Sequence, residues 1–457
     1  MKSSLRYIIL LLLFHTTVCF SQLDHFVVQS PGGGNIPDQT AGATFFIEVL
    51  AKDSFDSTVT TFDATADVSS DGVLTVGAGT TPAFVNGVLS DYPIQYSNTG
   101  TFSLTAVRTS GSETGTSNSF SVQAGSAARL FIRTQPASST TAGIAFAPQP
   151  VIDIQDAQGN LVSSDNSTVV TASLNSGTGE VQGTVTATAV NGSATFVDLS
   201  YRIAETITLA FNASSLTGVA SNSIGVQPAS AAEVLVETDA NGTGTILPSQ
   251  NVMMGNSITM YAVTRDAFHN FVSNSAANWS LLGSTGGISS GDLVPSGDTK
   301  SAAFTGHLVG TTQVRATSGV LDPIPSGTIT VTPGSANHLS FVQQPTNDTA
   351  GTIMTPPVSV QLKDSLGNNV QIPGIEVTIA LSSGTGTLSG TSSQSTNSSG
   401  VARFDDLSIN LVGTKQLTAS SAGLTPAVSG SFTINPASAS QLVFIQQPTN
   451  DTAGTVI

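Results

Sequence analysis

The sequence has almost no cysteine: Cys19 is the only one. Without a second cysteine the chain cannot close an intramolecular disulfide, so any folded unit must be stabilised by its own apolar core. Aromatic residues make up 6% of the sequence and charged residues 9%, while glycine occurs 44 times. Small and β-branched residues with many glycines are typical of short strands joined by tight turns.

Positive charge is also scarce. The sequence has 13 lysines and arginines against 29 aspartates and glutamates, which gives a formal net charge of −16. After the first few residues the lysines and arginines form no cluster. Because a phosphate backbone is bound by concentrated positive charge, we expect no nucleic-acid partner. Adhesion to anionic lipid is disfavoured for the same reason.

Long apolar runs are missing except near the start of the chain. Residues 8–14 (IILLLLF) form a short apolar run behind Lys2 and Arg6, a pattern typical of a secretory signal peptide over residues 1–21. We expect cleavage after Ser21, and the alternative is that Cys19 is a lipidated cysteine, although Val18 stands where a lipobox has a small residue. Nothing later is long and apolar enough to predict a transmembrane segment. The chain is therefore expected to be secreted or exposed at the cell surface.

A long internal repeat is present. The ten residues QQPTNDTAGT at positions 343–352 recur unchanged at positions 446–455. Equivalent first strands begin near Leu130, Val234, Leu339 and Leu442, at spacings of 104, 105 and 103 residues. Such a period predicts a tandem array of similar units. The predicted divisions are 22–124, 125–228, 229–333 and 334–436 for four repeats, and 437–457 for the truncated start of a fifth, so we expect the sequence to be a fragment.

Each repeat has the same series of strand and turn signals. The first strand ends at a proline (Pro136, Pro345), which disrupts a ladder and marks the point where the strand can change sheets. In the second strand Val358, Val360 and Leu362 alternate with polar residues, and a turn opened by aspartate follows. About seven short strands fit into each period, which predicts an all-β fold of seven-stranded sandwiches.

Three of these patterns resemble a known family. The motifs L-x-F-x-x-Q-P, D-x-x-G-N and G-x-A-x-F-x-D-L together resemble bacterial Ig-like repeats of the invasin/intimin type. The resemblance implies tandem Ig-like seven-stranded β-sandwich domains in a linear array on a secreted or surface protein. The ending CFSQ of the signal looks like that of a Bacteroidetes exported protein. The first and third repeats depart from the motif because their turns, after Asp53 and Asp266, lack the glycine.

Candidate catalytic and metal-binding residues do not form a recognisable set. His25, His269, His307 and His338 lie in dissimilar contexts, and none has the partner spacing of a zinc site. Adjacent carboxylates such as Asp405 and Asp406 point to opposite faces of a strand and so do not converge on a substrate. We therefore predict no catalytic residue, no cofactor and no defined metal ligand. Trp279 aligns with Ile379, which predicts a core position in the third strand.

Calcium at the joints between repeats is a weaker hypothesis. Oxygen-rich turns opened by Asp156 and Asp364 could supply ligands, but each aspartate stands nearly alone. Local capping of the turn by the aspartate side chain explains the same residues. Both interpretations are kept at this point, with weak calcium binding as the less favoured.

Two functions fit the sequence. The first is a structural or adhesive stalk at the cell surface, non-catalytic in this stretch, which meets extracellular glycans or proteins. The alternative is a spacer or carbohydrate-binding region of a larger exported enzyme whose catalytic domain lies beyond residue 457. A sandwich fold is compatible with either function, so the fold alone does not choose between them.

Overall fold

The described part of the chain folds into β-strands, turns and one short 3₁₀ segment. The computed structural model describes residues 22–450, 452–454 and 456. The predicted signal peptide and Cys19 lie outside these residues. Among the described residues the only helical segment is the 3₁₀ turn Ser290–Asp292, so no helix is long and apolar enough to cross a membrane. The chain divides into two compact units, Met1–Pro228 and Ala229–Ile457.

The first unit contains the first two repeats. The strands of the first repeat are His25–Gln29 (β1), Gln39–Thr40 (β2), Phe45–Lys52 (β3), Ala66–Ser70 (β4), Leu74–Val76 (β5), Gly79–Thr80 (β6), Val88–Tyr96 (β7), Gly100–Phe102 (β8), Leu104–Arg108 (β9), Thr114–Thr116 (β10) and Phe120–Gln123 (β11). The strands of the second repeat are Arg129–Thr134 (β12), Ser139–Thr141 (β13), Val151–Gln155 (β14), Val169–Ser176 (β15), Thr186–Thr188 (β16), Ser193–Thr195 (β17), Thr206–Asn212 (β18), Val219–Ala220 (β19) and Ile224–Gln227 (β20).

The second unit contains the third and fourth repeats. The strands of the third repeat are Ala231–Glu237 (β21), Gln250–Met253 (β22), Ser257–Asp266 (β23), Phe271–Asn274 (β24), Asn278–Leu282 (β25), Leu293–Pro295 (β26), Ser301–Thr305 (β27), Gly310–Thr317 (β28), Asp322–Ile324 (β29) and Ile329–Thr332 (β30). The strands of the fourth repeat are His338–Gln343 (β31), Asp348–Thr349 (β32), Val358–Lys363 (β33), Glu376–Ser383 (β34), Leu388–Ser389 (β35), Ser393–Ser395 (β36), Val401–Phe404 (β37), Ser408–Ile409 (β38), Gly413–Ser420 (β39), Ala427–Val428 (β40) and Phe432–Asn435 (β41).

The second repeat shows the sandwich most simply. One sheet has the strand order β12-β14-β17, and the other has the order β13-β20-β18-β15-β16, with β19 paired to β18. The first strand of the sandwich is split into β12 and β13, and the last is split into β19 and β20. Nine strand segments therefore make seven strands, as in an Ig-like sandwich.

Pro136 separates the two halves of the first strand. The half before it, β12, pairs antiparallel with β14 in one sheet, and the half after it, β13, pairs parallel with β20 in the other. The fourth repeat does the same around Pro345, with β31 on β33 and β32 on β41. Because proline lacks an N–H to donate, the ladder stops there and the strand crosses to the second sheet. The predicted change of sheets is confirmed.

The core lies between the two sheets of each repeat. In β33 the alternating side chains of Val358, Val360 and Leu362 are all fully buried. The side chain between them, Gln361, was expected to face solvent but is also buried. Its Nε2 donates to the carbonyl oxygens of Ser399, at 3.0 Å, and Gly400, at 3.1 Å. The alternation did not reveal this because a backbone turn covers the outer face of the strand.

Trp279 corrects another expectation. The core position predicted for Trp279 is only partly correct. Trp279 is partly buried and packs against the edge of the core, whereas the aligned Ile379 is buried. The indole Nε1 donates to the carbonyl oxygen of Thr299 at 2.8 Å. A buried indole needs such an acceptor, and the acceptor lies at the margin of the sheet.

The turn after the second strand has one conformation in all four repeats. Its fourth residue has a positive φ: 95° at Gly159 and 88° at Gly367. In the first and third repeats, which lack the glycine, Asp56 and His269 adopt φ values of 60° and 64°. The departure from the motif is therefore a change of residue type and not of structure. Left-handed backbone is unfavourable for residues with a Cβ, so these two turns carry local strain.

Gly367 allows a direct test of this backbone requirement. A Cβ built at Gly367 meets no atom within 4 Å, so any effect of substitution comes from the backbone conformation alone. We expect Gly367→Ala to lower the free energy of unfolding by about 1 kcal/mol. Gly367→Asn should cost clearly less, because asparagine tolerates the left-handed region. Urea unfolding of the two variants checks this, and equal losses would contradict the assignment.

The segment after the fourth repeat forms no strand in its described part. Residues 437–450 are exposed throughout, with Leu442 and Ile445 fully accessible. The sequence of this segment predicts a first strand like β31. A strand needs a neighbour to take its backbone hydrogen bonds, and no segment within the described residues pairs with this one.

Candidate functional site at the repeat joints

In the second, third and fourth repeats the turn opened by aspartate lies beside the residues that lead into the repeat. The aspartates at its first position in the second, third and fourth repeats, Asp156, Asp266 and Asp364, are completely buried. A buried carboxylate is costly unless hydrogen bonds satisfy its oxygens. Four residues later each of these repeats has an asparagine, as in Asp364 and Asn368.

Asp364 illustrates how the carboxylate is satisfied. Its Oδ1 accepts hydrogen bonds from the backbone N–H of Leu366, at 3.0 Å, and of Asn368, at 2.8 Å. Its Oδ2 accepts from Nδ2 of Asn368, at 2.9 Å, and from the backbone N–H of Gly334, at 3.1 Å. Gly334 stands at the predicted start of the fourth repeat. The carboxylate therefore ties the incoming chain to the turn.

The other two repeats reproduce this arrangement. In the second repeat Oδ2 of Asp156 accepts from the backbone N–H of Gly125 at 2.9 Å, and in the third Oδ2 of Asp266 accepts from that of Ala229 at 2.8 Å. Each Oδ2 also accepts from Nδ2 of its own asparagine, at 2.9 Å in both cases. We call the aspartate, the asparagine and the first residue of the repeat the joint clamp.

The asparagine of the clamp also reaches the preceding repeat. In the first unit Nδ2 of Asn160 donates to the carbonyl oxygen of Ser97 at 2.9 Å. In the second unit Oδ1 of Asn368 accepts from the backbone N–H of Val309 at 3.3 Å. Its Nδ2 lies 3.4 Å from the carbonyl oxygen of His307 and 3.1 Å from Sδ of Met254. At these two joints the clamp therefore bonds the linker, the turn and the preceding repeat.

The hydrogen bonds of the clamp set the charge of the aspartates. Burial by itself raises the pKa of Asp156, Asp266 and Asp364, since it disfavours the charged form. The N–H donors of the asparagine, the turn and the linker stabilise the anion more strongly. Together they hold the pKa of each carboxyl below its usual range. The clamps are charged at neutral pH.

This geometry favours turn capping over calcium at these aspartates. Each carboxylate accepts four N–H donors, whose hydrogens point at the oxygens that a cation would need. Over the described ranges no group of three or more histidine, cysteine, aspartate or glutamate residues is placed to hold a metal ion. At these three turns the aspartates are therefore capping residues.

The structure keeps the other candidate residues apart. The Asp405 carboxylate accepts from Nε of Arg403 at 2.6 Å, while Oδ1 of Asp406 accepts from the backbone N–H of Thr391 at 2.8 Å. The two carboxylates thus have separate partners, but they lie in the bend after β37 and not in a strand, so the predicted reason for their separation is wrong. The side chains of His25, His269 and His307 contact acidic residues in different places, and His338 begins β31.

A cleft of about 600 Å³ lies beside the clamp in the second unit. Apolar side chains of the third and fourth repeats line much of it, among them Met253, Val331, Val370 and Ile372. None of its lining side chains is titratable. Such a lining can accept an apolar group, and its hydroxyls, those of Thr332 and Ser335, have no titratable side chain beside them in the lining.

The sequence did not reveal that the asparagine and the linker N–H belong to one site, the joint clamp. The aspartate was recognised as a local cap, which it is. The available signal was the asparagine at the fourth position after the aspartate in three repeats, against Ser57 in the first. The contact with the linker involves only a backbone group, so no residue type in the linker could indicate it.

Comparisons with known proteins identify no family for the chain. No protein-family model matches the sequence, and no curated protein matches it. The similar solved structures include invasin, a bacterial integrin-binding protein, at 14% identity over 90% of this chain and 79% of that chain, with a TM-score of 0.28.

Two further structures show the range of the likeness. The Escherichia coli adhesin FdeC is 19% identical, covers 68% of this chain and 98% of its own, and has a TM-score of 0.31. Domains EC1–4 of Drosophila N-cadherin are 11% identical over 88% of this chain and 99% of that chain, with a TM-score of 0.27. At such identities and TM-scores the likeness carries no conclusion about what this chain binds. The fold assignment rests on the strand order described above.

Proposed function

We propose that the chain is a non-catalytic stalk, secreted or held at the cell surface, whose four repeats are tandem Ig-like domains with the boundaries given above. The single observation that carries this proposal is the joint clamp. It occurs in three successive repeats and ties the first residue of each to a buried carboxylate. A flexible linker between repeats would not require a hydrogen bond that fixes the first residue of the next repeat.

The clamp supports a spacing role because it restricts motion at the joint. In the second unit Asn368 bonds backbone groups of the third repeat while it also holds Asp364 of the fourth. Hydrogen bonds to backbone atoms fix direction as well as distance. A joint held in this way keeps a binding element at a defined distance from its anchor.

Distance measurement by pulsed electron paramagnetic resonance tests this role. Spin labels are attached at Val320→Cys in the third repeat and Leu411→Cys in the fourth, two exposed positions. Cys19→Ser removes the only native thiol. We expect a narrow distance distribution, and in Asn368→Ala a distribution about twice as wide, because the bonds to the third repeat are lost. Asn397→Ala, in a turn within the fourth repeat, is the control and should leave the width unchanged. A distribution that is equally broad in all three proteins would refute the stalk.

The partners and location belong to the same proposal. We propose an exported protein of Bacteroidetes type that meets extracellular glycans or proteins. Antibody labelling of intact cells tests the location, and binding of the purified chain to panels of polysaccharides and matrix proteins tests the partners. Saturable binding to either panel would support these partners, whereas a catalytic domain in a longer reading frame would favour the alternative, a spacer or carbohydrate-binding region of a larger exported enzyme.

A further inference from the structure

We propose that the outer face of the sheet β12-β14-β17, in the second repeat, is a binding site for a neutral, β-linked polysaccharide. The site deepens the proposed function and rests on it in one respect, since it needs a protein that meets extracellular glycans. This face combines an exposed aromatic ring, a buried carboxylate with an available oxygen, an arginine beside that carboxylate, and a cleft lined by residues with hydroxyl and amide groups.

Three strands bring the residues of this face together. Phe131 on β12 pairs with Asp153 on β14, and Asp153 pairs with Ser193 on β17. Residues directly opposite one another in antiparallel strands have their side chains on the same face. The neighbours of Asp153 along β14, Ile152 and Ile154, are fully buried in the core, so Asp153 lies on the outer face. An aromatic ring, a carboxylate and a hydroxyl therefore form one row across the sheet.

Asp153 is the charged centre of this row. It is only 7% exposed, although it lies on the outer face. Its Oδ1 accepts from Oγ of Ser193 at 2.7 Å, and Nε of Arg133 lies 3.5 Å from the same oxygen. Within the part of the chain that the structure describes, no donor bonds the other oxygen, Oδ2. A carboxylate oxygen without a protein donor is available to accept from a hydroxyl group of a ligand.

A cleft of about 410 Å³ lies on the same face. Its lining includes Arg133 on β12 and both Ser193 and Thr195 on β17, and β14 lies between these two strands. Thr188 and Asn191 extend the lining beyond β17. The residues that line the cleft thus carry a guanidinium group, three hydroxyls and a side-chain amide. Such a mixture of donors and acceptors suits a ligand with many hydroxyl groups.

Phe131 supplies an apolar surface beside these polar groups. The residue is 49% exposed, and its partner across the strands is Asp153. A pyranose ring has apolar C–H groups on its faces and hydroxyls around its edge. An aromatic ring can pack against such a face while neighbouring polar side chains bind the hydroxyls. The row from Phe131 to Ser193 offers both kinds of contact side by side.

Charge and ring shape narrow the class of saccharide. The chain has a formal net charge of −16, which disfavours polyanionic glycans. The positive charge of Arg133 already faces the carboxylate of Asp153. In β-linked hexopyranoses with equatorial substituents, both faces of the ring carry only C–H groups, so each face is flat enough to pack against Phe131. A neutral, β-linked chain therefore fits this site better than an acidic or a coiled α-linked one.

The other repeats have different chemistry at the same positions. The equivalents of Phe131 and Asp153 are Val27 and Leu50 in the first repeat, Leu235 and Val263 in the third, and Ser340 and Gln361 in the fourth. In the described chain only the second repeat thus places an aromatic ring opposite a carboxylate in this row. Because the same sandwich forms with apolar residues there, the fold itself does not require Phe131 and Asp153.

Affinity electrophoresis of the full chain tests the site. The gels contain a soluble β-linked glucan, galactan, mannan or xylan, and dextran and heparin are the α-linked and the polyanionic comparison. We expect saturable retardation by at least one β-linked polysaccharide, and none by dextran or heparin. Phe131→Ala should raise the Kd about tenfold, because the packing against the sugar ring is lost. Asp153→Asn keeps the shape but removes one acceptor oxygen, and it should raise the Kd by a similar factor.

Phe55→Ala is the matched control. It also removes an exposed phenylalanine, 84% accessible, but from a turn of the first repeat, so its Kd should change less than about twofold. Melting temperatures close to that of the native chain show that each variant is folded. They are expected because Phe131 and Phe55 both lie at the surface.

Three outcomes would overturn the site. They are no binding to any β-linked polysaccharide of the panel, equal affinities in Phe131→Ala and Phe55→Ala, and binding to a matrix protein alone that Phe131→Ala abolishes. The last would make this face a protein-binding surface. None of these results concerns the spin-label distances, so the stalk proposal would stand. Broad distance distributions would count against the stalk and leave the affinity of the purified chain for polysaccharide unchanged.

Discussion

Asp364→Ala is expected to lower the free energy of unfolding of the fourth repeat by about 4 kcal/mol. The substitution removes an acceptor from the backbone N–H groups of Leu366, Asn368 and Gly334. Each buried donor without an acceptor costs about 1–3 kcal/mol, so the total is large for a single side chain. Hydrogen exchange measured by mass spectrometry against urea reports it, because peptides from each repeat are followed separately.

Two further variants make this result specific. Asp405→Ala, in the same repeat, removes an exposed carboxylate that pairs with the exposed Arg403, and it should cost less than about 1 kcal/mol. Asp364→Asn keeps the shape but turns one acceptor into a donor, so it should fall between the other two. A loss in Asp364→Ala no larger than in Asp405→Ala would show that the clamp does not stabilise the repeat.

Acid should destabilise the chain steeply, which is the second large effect. The folded-state pKa values of Asp156, Asp266 and Asp364 lie below the usual range of aspartate. The unfolded chain therefore binds protons at a higher pH than the folded chain does. Stability is fully present above the unfolded pKa of about 3.9 and is lost as pH falls through the lower folded values. Melting temperatures should change little between about pH 7 and 5 and drop clearly towards about pH 3.

Each clamp contributes a separate share of this acid sensitivity. In Asp364→Ala the fourth repeat has lost its clamp carboxylate, so its stability should fall less between about pH 5 and 3 than in the native chain. In the other repeats the change of stability with pH should stay as in the native chain, so these repeats serve as internal controls. A fourth repeat with an unchanged pH slope would mean that Asp364 is not the titrating group.

The all-β fold could be predicted because its signals are local and repeated. The alternation of Val358, Val360 and Leu362 fixes which face of a strand is buried, and Pro345 marks the change of sheets. These patterns depend on the period of a strand and on a missing N–H, both of which can be read from residue type.

The joint clamp could be predicted only in part, because half of it is backbone. Asp364 was recognised as a turn cap, but its bond to the N–H of Gly334 depends on where the linker passes, and any residue other than proline supplies that group. The burial of Gln361 has a similar cause, since its acceptors are the carbonyl oxygens of Ser399 and Gly400. Contacts with the main chain over distances of many residues have no signature in side-chain type.

The joint clamp also bears on how a chain of such repeats could gain another repeat. Asn160 and Asn368 reach the preceding repeat mainly through backbone groups, at Ser97 in one case and at His307 and Val309 in the other. A joint that recognises the main chain is largely indifferent to the sequence before it. A duplicated repeat could therefore be inserted after any other without a matching change in its neighbour. This makes the repeats exchangeable parts, since a change in their number would leave joints of this kind intact.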